Sequence, residues 1–120
     1  MASTLSRLIP SNASEYESAT EEGNVDDVAS GPATLYEITC TLGDTVTTAR
    51  WLFIFDASGV PVSGRVGLKK VPYLIPEGGM IQVEFRDKPL VLSTGLSFGI
   101  SDSSATYSQA GVANFNAIYV

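Results

Sequence analysis

Few residues of this chain could carry chemistry, and no histidine is among them. Histidine is the commonest general base and metal ligand near neutral pH, so its absence excludes Ser-His-Asp and Cys-His catalytic sites. Carboxylates do occur in close pairs: Glu21 with Glu22, Asp26 with Asp27, and Glu84 with Asp87. A glycosidase needs two carboxylates held across a cleft, and 120 residues leave little room for a cleft. We therefore predict that the chain is not an enzyme and has no catalytic residue.

Three aspartates, Asp44, Asp56 and Asp102, lie at the ends of predicted strands, where loop carboxylates can gather around calcium. They lack the Asp-x-Asp-x-Asp spacing of a calcium loop, so turn-forming aspartates are the better interpretation. Cys40 is the single cysteine and alternates with apolar residues, which predicts a buried thiol and excludes an intrachain disulfide. We expect no metal and no cofactor.

The negative charge is concentrated near the N-terminus. The chain has a net charge of -6. Its first thirty residues contain one basic and six acidic residues, a net charge of -5, which leaves -1 for the remainder. An acidic segment beside a nearly neutral body argues against binding to nucleic acid or to an anionic membrane surface. No apolar run has the length of a signal-peptide core or of a membrane span, so we expect folding in a cytoplasm.

Residues 1–32 are predicted to form an acidic, extended N-terminal arm, because their apolar residues are too scattered to bury much surface. Two interpretations are open. The segment is a disordered tail in the isolated protein, or it is an arm that becomes ordered on a neighbour. In the second case its partner-binding anchors are Leu5, Leu8, Ile9, Pro10 and Tyr16.

Residues 33–120 are predicted to form one all-β domain, a β-sandwich or jelly-roll-like fold. Apolar and polar residues alternate in "ATLYEITCTLG", "MIQVEFRD", "LSFGISD" and "NFNAIYV", which is typical of half-buried strands. The segment "ARWLFIFDA" is apolar on both faces and predicts a central strand, whereas Pro72 and Pro76 restrict their segment to an edge or a connector. We expect a single core built from Trp51, Phe53, Phe55, Phe85, Phe98 and Phe115.

Residues 34–120 resemble a type of small virion protein of tailed bacteriophages, through "WLFIFDASGVPVSG", "MIQVEF" and "LSTGLSFGISDSSATYSQAG". The resemblance implies a head decoration, or cement, protein that bridges capsomers of the major capsid protein, often as a trimer. It implies a location on the phage head, with the major capsid protein or another virion protein as partner. The polar loop at residues 101–111 would then be an exposed contact, with Ser103, Thr106 and Tyr107 as its binding residues.

Two other functions remain open at this point. A carbohydrate- or receptor-binding module of a head or tail fibre would need exposed aromatic residues beside polar loops, and Tyr73 and Tyr107 are the candidates. A head-completion or tail-interface protein would need only a β-rich body and an arm, as a decoration protein does. The copy number of the protein in the particle would distinguish a decoration protein from a head-completion or tail-interface protein.

Overall fold

The computed structural model describes residues 10–58, 72–85 and 87–120, which form two antiparallel sheets. The strands are β1 (Ser14–Glu17), β2 (Asn24–Ala29), β3 (Ala33–Leu42), β4 (Arg50–Phe55), β5 (Tyr73–Ile75), β6 (Met80–Glu84), β7 (Leu90–Leu92), β8 (Leu96–Ser101) and β9 (Ala113–Tyr119). Sheet A has the order β1-β9-β3-β6, and β7 pairs with the first residues of β3, next to β6. Sheet B has the order β2-β8-β4-β5. The predicted all-β fold is confirmed as two packed antiparallel sheets.

The main core lies between the two sheets and follows from strand alternation. Along β9, Ala113, Phe115 and Ala117 are buried, while the residues between them point to the other face. Phe98 of sheet B packs against Phe115 of sheet A with ring centroids 4.9 Å apart. Cys40 is fully buried here, as predicted, and burial raises the pKa of its thiol to about 12. The thiol is therefore protonated and inert at neutral pH.

A β-bulge in β3 allows residues on both sides of the bulge to be buried in the core. The register of β3 against β9 shifts between Leu35 and Glu37. Leu35 and Ile38 are three residues apart, yet both are fully buried, which regular alternation would not allow. Simple alternation with Ile38 would place Tyr36 on the inner face, but Tyr36 is only half-buried because the extra residue changes the alternation at this point.

A second apolar cluster lies on the outer face of sheet B and corrects the expectation of a single aromatic core. Phe53 and Phe55 pack with Tyr107, whereas Leu52 and Ile54 of the same strand belong to the main core. The ring of Tyr107 is 5.2 Å from that of Phe53 and 5.1 Å from that of Phe55, edge-on to both. The strand β4 is therefore buried on both faces, as its sequence predicted, but one face is covered by a loop.

The segment of residues 14–29 belongs to the two sheets, which corrects the prediction of an arm for this part of the chain. β1 pairs with β9, and β2 pairs with β8. Val25 is only 3% exposed, and Tyr16 packs edge-on against Phe98. A few well-placed apolar residues are enough here, because the remaining interactions are ladder hydrogen bonds, which need no apolar side chain.

Asp56 fastens the end of β4 to the turn that precedes β8. Its two carboxylate oxygens accept hydrogen bonds from the backbone N–H groups of Ser93, Thr94 and Gly95 at 3.2, 2.8 and 3.3 Å, and from the Ser93 hydroxyl at 3.2 Å. Burial acts to raise the pKa of this carboxyl, but the hydrogen bonds outweigh it and hold the pKa below its ordinary value. Asp56 is thus a structural turn residue, as predicted.

Replacing Asp56 by asparagine is expected to destabilise the fold by about 1–3 kcal/mol at neutral pH, because the charged acceptor is lost. Since the folded-state pKa is lowered, the stabilisation is complete above the ordinary aspartate pKa of about 3.9 and is lost as the pH falls through the folded-state value. Urea unfolding should therefore show a gap between wild type and Asp56→Asn that closes in acid. Asp102→Asn is the control, since Asp102 is exposed. A gap that persists in acid would contradict this account.

Candidate functional site

The outer face of sheet A carries a shallow polar groove with a volume of about 210 Å³. It crosses three neighbouring strands or their ends, β1, β9 and β3. Its lining consists of Glu17, Ser18, Thr39, Thr41, Asn114, Phe115 and Asn116. The groove is the candidate binding site of this protein, and every side chain in it except that of Phe115 is polar.

The strand register places these side chains together. Asn116 of β9 lies opposite Thr39 of β3 on one side and opposite Glu17 of β1 on the other. Asn114 lies opposite Thr41, two residues further along the same strands. Because the inward residues of β3 and β9 form the core, the alternate residues must project from the outer face. The groove is therefore fixed by rigid strands.

Hydrogen bonds already occupy part of the groove. The Ser18 hydroxyl accepts the backbone N–H of Phe115 at 2.9 Å, and the Asn116 amide donates to the carboxylate of Glu15 at 2.8 Å. Within the described part of the chain, the side chains of Glu17, Thr39, Thr41 and Asn114 make no hydrogen bond. One carboxylate, one amide and two hydroxyls are therefore available to a ligand.

At its other end, the outer face of sheet A is apolar. Thr34 exchanges two backbone hydrogen bonds of 2.9 Å with Val120 and pairs with Val91 on its other side. Val91 is 62% exposed and Val120 is 41% exposed. These two valines flank Thr34 in one row across the sheet, which we call the valine row. The two valines lie on either side of β3, and exposed apolar side chains on one sheet face are a feature of protein-binding surfaces.

The predicted arm anchors are not brought together. Leu5, Leu8 and Ile9 lie outside the described residues. Pro10 is half-buried, and its carbonyl accepts the N–H of Ala13 in a turn. Tyr16 is a strand residue directed toward the core, which corrects its assignment as an arm anchor. Its hydroxyl donates to Glu22, and burial together with that contact raises the Tyr16 pKa to about 12.

The loop after β8 folds back over sheet B, which corrects the prediction that Tyr107 is exposed. Tyr107 is 1% exposed, and its hydroxyl bonds to Asn24 of β2. The buried hydroxyl of Ser101 shapes the loop, because its single O–H is shared between the carbonyls of Ser103 and Thr106, whose oxygens lie 2.9 and 3.3 Å from the Ser101 oxygen. Of the three predicted contact residues, Thr106 is exposed and Ser103 is half-buried.

The two tyrosines considered for a sugar site do not form one. Tyr73 is half-buried and packs on the main core, and burial raises its pKa. Tyr107 belongs to the cluster on the opposite face of sheet B. The groove residues were not singled out in the sequence. The signal that could have found them is the pair of polar doublets, Thr39 with Thr41 and Asn114 with Asn116, on the outward faces of two predicted strands.

Among the described residues, no group of three or more His, Cys, Asp or Glu side chains is arranged to hold a metal ion. Nor does any helix in residues 10–58, 72–85 or 87–120 have the length and apolar character of a membrane span. Comparison with known proteins finds no matching family model, no matching curated protein and no matching solved structure.

Proposed function

We propose that this chain is a non-enzymatic structural protein of a tailed-phage particle, of the head-decoration type. In this proposal it folds in the host cytoplasm, is located on the phage head, and binds the major capsid protein so as to bridge capsomers. The observation that carries the proposal is the valine row, an exposed apolar surface on a rigid sheet. The resemblance of residues 34–120 to small phage virion proteins supports it.

The strand order supports a jelly roll as the finer description of the fold. The pairs β1 with β9, β2 with β8, β3 with β6 and β7, and β4 with β5 correspond to one long hairpin folded over on itself. Such a hairpin produces two Greek keys, the arrangement of the eight-stranded jelly rolls found in viral capsid and lectin domains.

The proposal includes self-association and a contact made by the N-terminal residues. A trimer is the favoured oligomer, and light scattering on the purified protein should give three times the mass of the chain.

An anchoring role for Leu5, Leu8 and Ile9 stays a prediction, because these residues lie outside the described part of the chain. Any such anchoring contact would be made by residues that precede β1, since residues 14–29 belong to the sheets.

The valine row can be tested by charge substitution. Val91→Asp is expected to weaken attachment to undecorated heads of the phage that encodes the chain by at least about tenfold, because an apolar contact would be replaced by a desolvated charge. Sedimentation of the purified variant with heads measures the effect. Leu74→Asp is the matched control, since Leu74 is 50% exposed but lies in sheet B. Equal attachment of the two variants would contradict a role for the valine row.

A further inference from the structure

The groove on sheet A gathers several polar side chains that the fold leaves accessible to solvent. Thr41, Asn114 and Glu17 are exposed, and Thr39 is half-buried. In the described part of the chain these four side chains have no polar partner. They nevertheless converge on one depression of about 210 Å³. We infer that this groove binds one neutral saccharide unit.

The chemistry of the lining selects this class of ligand. Threonine hydroxyls and asparagine amides both donate and accept hydrogen bonds, and the Glu17 carboxylate accepts only. A sugar carries several hydroxyl groups, each able to donate and to accept, so it can satisfy such a mixed set. Phosphate and other anions are disfavoured, because the carboxylates of Glu17 and Glu15 stand at the same edge. An apolar ligand would find little to contact, since Phe115 is 2% exposed.

The shape of the groove sets the size of the ligand. Neighbouring strands lie about 4.8 Å apart, so groups on β1, β9 and β3 can contact opposite sides of one small ring. The volume is below the roughly 300–1,000 Å³ of pockets that enclose drug-sized molecules, which favours a single sugar unit of a longer chain. Aromatic stacking contributes nothing in this groove, so binding relies on hydrogen bonds. We expect weak, millimolar affinity, which display of many copies of the chain on one surface would raise by multivalency.

This site is independent of the head-decoration role. The valine row and the groove lie at different ends of the sheet A face, and sugar binding by the purified chain needs no virion partner. Loss of one property therefore leaves the other intact, and the two proposals can fail separately.

Amide chemical-shift titration of the purified full-length chain tests the inference. The probes are glucose, galactose, mannose, rhamnose and N-acetylglucosamine, with arginine amide as a cationic comparison. We expect at least one sugar to produce saturable shifts at Thr39, Thr41 and Asn114, while the amides bound to Asp56 stay unchanged. The inference is overturned if no sugar moves these signals, or if arginine amide alone does.

Two substitutions sharpen the test. Thr41→Ala and Asn114→Ala are each expected to weaken sugar binding about five- to tenfold, the effect of one lost hydrogen bond. Thr34→Ala is the matched control, because Thr34 lies on the same strand and the same face but outside the groove. Its affinity should stay within about twofold of wild type. If all three variants bind alike, the sugar is not held by the groove.

Discussion

Replacing Tyr107 by alanine is expected to lower the free energy of unfolding by about 3–5 kcal/mol, the usual cost of truncating a buried aromatic side chain. Tyr107 is 1% exposed and fills the space between Phe53, Phe55 and the loop that covers them. Without its ring, these two phenylalanines would face water or an unfilled cavity. The loop itself would lose its main apolar attachment to sheet B.

A second substitution separates the two roles of Tyr107. Tyr107→Phe keeps the ring and removes the hydroxyl that bonds to Asn24, so it should cost only about 1–2 kcal/mol. Gly99 makes this bond possible, because a Cβ at that position would overlap the tyrosine hydroxyl. Both variants are measured by urea unfolding followed by tryptophan fluorescence. An alanine variant as stable as wild type would show that the loop does not cover sheet B.

A chain that begins at Ser30 is expected to lose cooperative unfolding altogether. It lacks β1 and β2, which form one edge of each sheet. Removing them would expose Phe98, now in contact with Tyr16, and would leave β8 and β9 unpaired along one side. We expect the loss of burial and of two strand pairings to exceed the roughly 5–15 kcal/mol by which a domain of this kind is stable.

Calorimetry of the truncated chain measures this effect. The control is Glu17→Gln in the full chain, because Glu17 is exposed and makes no hydrogen bond among the described residues. The control should unfold like wild type. A truncated chain with a sharp transition near the wild-type temperature would mean that residues 14–29 are an appendage to the sandwich.

The regular strands could be predicted because each has one face buried in the core and one face exposed to solvent. In β9, the alternation of Phe115, Ala117 and Tyr119 with polar residues sets which face is inward before any partner is known. β4 was predicted as central because Leu52 and Ile54 on one face, and Phe53 and Phe55 on the other, all require cover. The sequence could not say what would cover the second face, since the loop carrying Tyr107 consists largely of small polar residues.

The strands near the N-terminus could not be predicted by the same reasoning. β1 has the sequence SEYE, with Tyr16 as its only large apolar residue, and composition therefore favoured disorder. β1 forms because the edge of β9 offers backbone hydrogen bonds and because Phe98 offers an aromatic contact. Both are provided by residues more than eighty positions away. The groove was missed for a related reason, since only the register of β1, β9 and β3 brings Glu17, Asn114 and Thr41 together.

In the proposed function the chain is encoded by a tailed phage, and the most direct test is quantitative mass spectrometry of purified particles of that phage. A head-decoration protein should be present in hundreds of copies, at a fixed ratio to the major capsid protein, and should stay bound through density-gradient purification. About a dozen copies would instead favour the head-completion or tail-interface alternative, because the resemblance implies that number for a connector protein. Absence of the chain from intact particles would contradict the account.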